Sequence, residues 1–157
     1  MKVRSGRSVT DAELPVDFDL LEIAVSVPDA TPCLTSALSH HNLTDAISAV
    51  MDIALPKGCH RPRTDKPAGW HVFDSATFEI GREERCLDRE MPIGIYGPER
   101  SIIDAVRLLH LEGPELGHEA LGRWLRRPKS SSADLIAMAE KFPKAYREIR
   151  RVLEILL

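Results

Sequence analysis

Aromatic side chains are scarce in this chain: four Phe, two Trp and two Tyr make up 5% of the 157 residues. The core must therefore be aliphatic, and the chain lacks the interleaved aromatics on which single-stranded nucleic-acid binders stack bases. No apolar run is long enough to span a bilayer and no secretory h-region is present. No membrane partner is expected, and the cytoplasm is the default compartment. Cysteine is rare as well. Cys33, Cys59 and Cys86 are odd in number and widely spaced, the pattern of reduced, unpaired thiols. Cys59-His60, His71 and Cys86 offer sulfur and nitrogen donors without C-x-x-C or H-x₃₋₅-H spacing, and the adjacent His40 and His41 diverge on a helix. Neither a metal nor another cofactor is implied. There is no P-loop and no G-x-G-x-x-G, and Ser36, within helical reach of His40 and His41, has no nucleophile elbow around it.

What is present describes one globular domain. The chain is 43% apolar and 29% charged, with ordinary Gly and Pro usage, and can bury roughly two-thirds of its unfolded surface without staples. Its net charge of −3 hides an asymmetry. Residues 1–56 carry three basic and eight acidic side chains, whereas residues 120–157 carry nine basic and four acidic ones. A basic C-terminal third suits an anionic partner, either nucleic acid or an acidic protein face; the plainer reading is that Lys and Arg solvate the backs of helices.

Along the chain, residues 1–19 are polar and aperiodic, with four acids between Asp11 and Asp19. Leu20 to Val27 reads as a short helix or a strand. Thr31-Pro32 reads as the cap and first turn of a helix to about His41, with Leu34, Ala37, Leu38 and His41 on one side. Short apolar runs at Val50–Leu55, Trp70–Phe73, Thr77–Ile80, Arg85–Leu87 and Ile93–Tyr96 are bounded by turn residues and read as strands of a small sheet. The last third is helical. Ile102, Ala105, Val106 and Leu109 form one stripe; Leu116, Ala120, Leu121, Trp124 and Leu125 form a second. Ser131 with Asp134 three residues on caps a third helix buried through Leu135, Met138, Ala139 and Phe142. Pro143 starts the last, whose stripe is Ala145, Ile149, Val152, Leu153 and Leu156. The fold class is α/β in the α+β sense: a small mixed central sheet with a helical C-terminal half.

Two groups of cations are candidates for holding phosphates or acidic protein. One is the loop from Lys57 to Lys66, with Lys57, Arg61 and Arg63; the other is C-terminal, with Arg123, Arg126 and Arg127, then Arg147, Arg150 and Arg151 opposite the last apolar stripe. Asp52, Asp74, Glu79 and Asp88 are the carboxylates a metal-dependent nuclease would need to bring together, but no lysine accompanies them. Arg100 and Asp104 lie one helical turn apart. Asp104 has the apolar neighbours Ile103, Ala105 and Val106, so it reads as partly buried; as a surface pair, the two would contribute at most ~0.5 kcal/mol.

Three pieces of sequence, taken in order, carry a resemblance: Pro32-Cys33-Leu34-Thr35-Ser36-Ala37-Leu38-Ser39-His40-His41-Asn42-Leu43, Ala54-Leu55-Pro56-Lys57-Gly58, and Tyr96-Gly97-Pro98-Glu99-Arg100-Ser101-Ile102-Ile103-Asp104. From about residue 30 to the C-terminus the chain resembles the C-terminal domain of the AbiEi antitoxins, prokaryotic transcriptional regulators of abortive-infection (phage-defence) toxin–antitoxin systems. The matching motif residues are Pro98, Arg100 and Asp104; the family's usual Ser and Thr are replaced by Gly97 and Ser101. The resemblance implies an antitoxin and not an enzyme. Its partner would be a cognate AbiEii-type nucleotidyltransferase toxin, and it would contribute to repression of its own operon by binding operator DNA. Residues 30–157 correspond to the antitoxin domain. Residues 1–29 are too few for the family's N-terminal winged helix and read as an arm and linker, a remnant of that domain, a truncation or a late start, which leaves DNA binding weak or absent. The alternatives from other classes are a phosphate-directed enzyme such as a nuclease, or a stand-alone nucleic-acid-binding remnant.

Overall fold

The computed structural model describes residues 13–14, 18–87 and 91–157. The strands are β1 (Glu13–Leu14), β2 (Thr31–Pro32), β3 (Met51–Pro56), β4 (Ala68–Phe73), β5 (Arg82–Leu87) and β6 (Met91–Tyr96). The helices are α1 (Phe18–Ser26), α2 (Leu34–His40), α3 (Pro98–Arg107), α4 (Leu109–Glu112), α5 (Pro114–Leu125), α6 (Ser132–Ala139) and α7 (Pro143–Leu156). The α+β class holds, with the expected single sheet replaced by two mixed three-stranded ones. One has the order β1-β5-β6, the other β2-β3-β4. In the first, β1 runs parallel to β5 and β5 antiparallel to β6; in the second, β2 runs antiparallel to β3 and β3 parallel to β4. Arg82 on β5 joins the sheets, its Nε donating to the Thr31 hydroxyl at 2.7 Å and an Nη to the Pro28 carbonyl at 3.0 Å.

Two sequence assignments need correction. Thr31-Pro32 does not open the helix: it pairs with Ala54 and Ile53 as β2, and α2 begins two residues later from the extended Cys33. The reason is non-local, since Cys33 N–H donates to the Asp52 carbonyl and holds the chain beside β3. Leu34 then takes a left-handed φ of 50° to turn into the helix. Thr77–Ile80 is not a strand. Asp74 nucleates a string of turns there, accepting from Ala76 N–H at its carboxylate and from Thr77 N–H at its carbonyl. The remaining strand candidates fall within β3 to β6, and the ambiguous Leu20–Val27 run is helix α1.

The helical half follows its stripes. Pro98, Pro114 and Pro143 each sit in a first turn, where the missing N–H costs nothing. Leu116, Ala120, Leu121, Trp124, Leu135, Ala139, Ala145, Ile149, Val152 and Leu153 form one aliphatic cluster with α3. Two residues depart from their stripes: Leu109 is exposed and starts α4 because α3 ends at Arg107, and Leu156 is exposed at the end of α7. The Ser131 hydroxyl accepts from Asp134 N–H at 3.2 Å, as the capping pattern requires. Ser131→Ala is expected to lower stability by about 1 kcal/mol, read from the midpoint of a chemical melt. Helix α3 is the hub, packed against α2, α5, α6 and α7. Every residue from Arg100 to Val106 is buried, so this helix has no solvent face over two turns.

Candidate functional site

A helix buried all round normally carries apolar side chains alone, yet α3 carries Arg100 and Asp104, both fully buried. Arg100 Nε donates to both Asp104 oxygens at 3.0 and 3.1 Å, and its Nη1 donates to the carbonyls of Thr77 and Ile80 at 2.8 and 2.6 Å. Its guanidinium lies 4.1 Å from the Tyr96 ring centre and 4.7 Å from that of Phe142. Arg107 Nε adds a 2.7 Å bond to Asp104, so one carboxylate serves two guanidinium groups. The reading of the pair as a surface contact is overturned: aromatic rings from β6 and the α6–α7 junction close over it. Gly81 makes the approach of the Thr77–Ile80 turns possible. It has φ +76°, and a Cβ there would stand 2.5 Å from Arg100 Cβ. The motif residues Pro98, Arg100 and Asp104 thus start the central helix and clasp the turn region to it. Pro98 is half-buried, and Arg100 and Asp104 are fully buried.

The surface around this hub carries two further features. Just after α2, His41 Nε2 donates to the Tyr96 carbonyl at 2.9 Å, and burial pushes its imidazole down to about 4. Cys33, buried beside the hub, has its thiol pushed up by burial and by the charge of Asp104, which makes it unreactive. Cys59 is half-buried, Cys86 is exposed, and all three thiols are free.

The basic candidates divide by what already holds them. Arg123 on α5 bonds Asp45 at 2.7 Å and Glu119 at 3.0 Å; Arg127 donates to the His41 carbonyl; Arg151 on α7 bonds Glu148. Arg126, Arg147 and Arg150 are exposed and have no carboxylate partner among the described residues. Arg150 instead lies 5.8 Å from the ring centre of Tyr146, and an open groove runs between them along α7 with Pro143, Arg147 and Glu154. In the loop between β3 and β4, Lys57, Arg61 and Arg63 are exposed, while Lys66 is tied to Asp19 and Glu22 of α1. Among the described residues the side-chain contacts of this loop run to α1, through Thr64 and Lys66.

The carboxylates of the nuclease alternative do not converge. Asp52 begins β3 and Asp74 follows the far end of the parallel β4, about 16 Å away along the strand direction. Glu79 lies exposed in the turns, and Asp88 falls outside the described residues. No group of three or more His, Cys, Asp or Glu capable of holding a metal exists among the described residues. Asp52 is engaged otherwise, accepting from Ser48 Oγ at 3.0 Å and from His71 Nε2 at 3.1 Å. The carboxylate stands between hydroxyl and imidazole, so His71 does not touch the Ser48 hydroxyl and the trio lacks the serine–histidine contact of a nucleophilic triad. Ser36 accepts from Asp52 N–H at 2.8 Å, while His41 is committed to Tyr96, so these two form no catalytic pair.

Sequence reasoning missed Arg107 and Tyr146. Arg107 was detectable, since it lies three residues beyond Asp104 on the same helix face. No local signal set Tyr146 apart from the other residues flanking the stripe. No protein-family model matches this sequence, and no curated protein matches it.

Proposed function

We propose that this chain is the antitoxin of an abortive-infection toxin–antitoxin pair, of the AbiEi kind, opposing a nucleotidyltransferase through the exposed face of α7. The observation that supports this reading is the free charge of Arg147 and Arg150. They line a groove with Tyr146, Glu140 and Glu154, on a helix that buries Ala145, Ile149, Val152 and Leu153 on its other side. A nucleotidyltransferase gathers carboxylates around its metal and nucleotide site, so a face on which Arg147 and Arg150 have no carboxylate partner among the described residues is complementary to it. The resemblance in the α2, β3 and α3 segments supports the same assignment. In this reading the chain performs no chemistry, and its contribution to operon repression rests on phosphate contacts. Such DNA binding falls steeply with salt, by about 0.9 log units of affinity per log unit of salt for each phosphate contacted.

Co-expression with a nucleotidyltransferase toxin of the AbiEii type, taken from the same operon if one is encoded there, tests the reading. The double reversal Arg147→Glu with Arg150→Glu is expected to reduce protection from growth arrest by at least about tenfold in surviving colonies, the loss of two charge-assisted contacts. Its melting curve should stay within about 0.5 kcal/mol of the parent, because both side chains are exposed. Full protection by the folded reversal variant would make the α7 face ordinary solvated surface. A parent chain that gives no protection would remove the antitoxin assignment altogether.

A further inference from the structure

Strand β4 ends its sheet. Its register with β3 runs without a bulge from Met51–Ala68 to Pro56–Phe73. Lys57 N–H, just beyond β3, donates to the Phe73 carbonyl at 2.8 Å, which fixes the direction of the ladder. Phe73, His71 and Gly69 therefore turn their backbone groups toward β3, while Ala68, Trp70 and Val72 turn theirs outward. No hydrogen bond among the described residues uses these outward donors and acceptors. Long open edges of this kind are normally blunted by proline, lysine, a bulge or brevity. The opposite edge of the same sheet, β2, is only two residues long and ends in Pro32. β4 has six residues, no proline and no formal charge, and Val72 is 56% exposed on the face it shares with Trp70.

We infer that β4 pairs with the β4 of a second copy of this chain, antiparallel about a two-fold axis at His71, joining two sheets into one. The edge complements itself in that register. Trp70 stands opposite the partner copy's Val72 in a hydrogen-bonded pair, the reciprocal pair repeats across the axis, and four aromatic and β-branched side chains meet on one face. The exposed charges around β4 are of mixed sign at both ends, Arg61, Arg63 and Asp65 on the entering side and Asp74 with Lys57 on the other, so no like-charge block opposes a second copy and the register rests on Trp70 and Val72.

Sedimentation velocity of the full chain over a wide concentration range, with amide exchange at the same concentrations, tests this. The expected result is a monomer–dimer equilibrium in which the Trp70 and Val72 amides slow as concentration rises. Val72→Lys should raise the dissociation constant at least about tenfold by placing two ammonium groups in the new sheet. Val72→Pro removes an outward donor without touching the β3 ladder and should give the same result. If the proline variant fails to fold, the lysine variant, at an exposed position, decides alone. The inference is overturned by a chain that stays monomeric throughout, or by a folded Val72→Lys variant that dimerises like the parent. It is equally overturned if Trp70 and Val72 gain protection only when a different protein is added.

Discussion

Asp104→Ala is expected to lower the unfolding free energy by about 3–5 kcal/mol, the largest effect of any single exposed-to-apolar or charged-to-apolar change at the hub. The carboxylate accepts from Arg100 Nε and Arg107 Nε, and Arg100 has no route to water because its side chain is fully buried. Removing the anion leaves a guanidinium in a site lined by Tyr96 and Phe142, held only by two carbonyls and ring faces. Since a domain of this kind is stable by about 5–15 kcal/mol in total, the loss is a large share of the whole and should move the denaturant midpoint well below that of the parent. Arg100→Lys should be costly in a different way. An ammonium cannot reach the carboxylate and the carbonyls of Thr77 and Ile80 together, nor stack flat on Tyr96, so the turn region should loosen before the helices do. Urea titration followed by far-UV circular dichroism measures the first change, and amide exchange across residues 76–82 locates the second. A midpoint shift worth less than about 0.5 kcal/mol for Asp104→Ala would mean that the pair is solvated after all.

Acid should unfold this protein through His41. In the folded chain burial holds the imidazole down at about 4, against an ordinary value of 6.5 in the unfolded chain. Below pH 6.5 the unfolded state therefore takes up a proton that the folded state refuses. Stability is full above 6.5, declines as pH falls and stops declining below about 4, with a total loss of about 3 kcal/mol. The hydrogen bond to the Tyr96 carbonyl opposes the shift by favouring the protonated ring, and His40, lowered in the same direction by its own burial, adds to the decline. His41→Gln keeps a donor for the Tyr96 carbonyl but cannot titrate. It should flatten most of the decline between pH 6.5 and 4 in a series of urea melts. A variant with the parent's slope would place the acid sensitivity elsewhere.

Much of the helical half was legible because its information is local. The stripes of α5, α6 and α7, the Ser131 cap and the prolines at first turns each depend on residues within one or two turns, and a period of 3.6 is hard to imitate by chance. The sheet was less legible. β2 has two residues and no propensity that marks it; it is a strand because β3 accepts it, and β3 lies twenty residues further on. Thr77–Ile80 has strand-like composition, and only the turn bonds from Asp74 and the demands of Arg100 on its carbonyls decide against a strand. The candidate site divides in the same way. The exposure of Arg147 and Arg150 follows from their place opposite a stripe, whereas the engagement of Arg123, Arg127 and Arg151 depends on Asp45, the His41 carbonyl and Glu148.

By itself, then, the sequence determined the α+β class, the helices of the last third with their caps, the acidic-to-basic gradient, and the spacing that lets Arg100 meet Asp104. Only the tertiary structure decided that this pair is the buried clasp of the central helix, that Arg123, Arg127 and Arg151 are already engaged, and that β4 is left with an open edge. The reason is one of range. An i, i+4 ion pair looks the same on a surface helix and on a central one, and whether it is dry depends on Tyr96, Phe142 and the Thr77–Ile80 turns. Those elements are distant in sequence and are brought over it by burial of the aliphatic core.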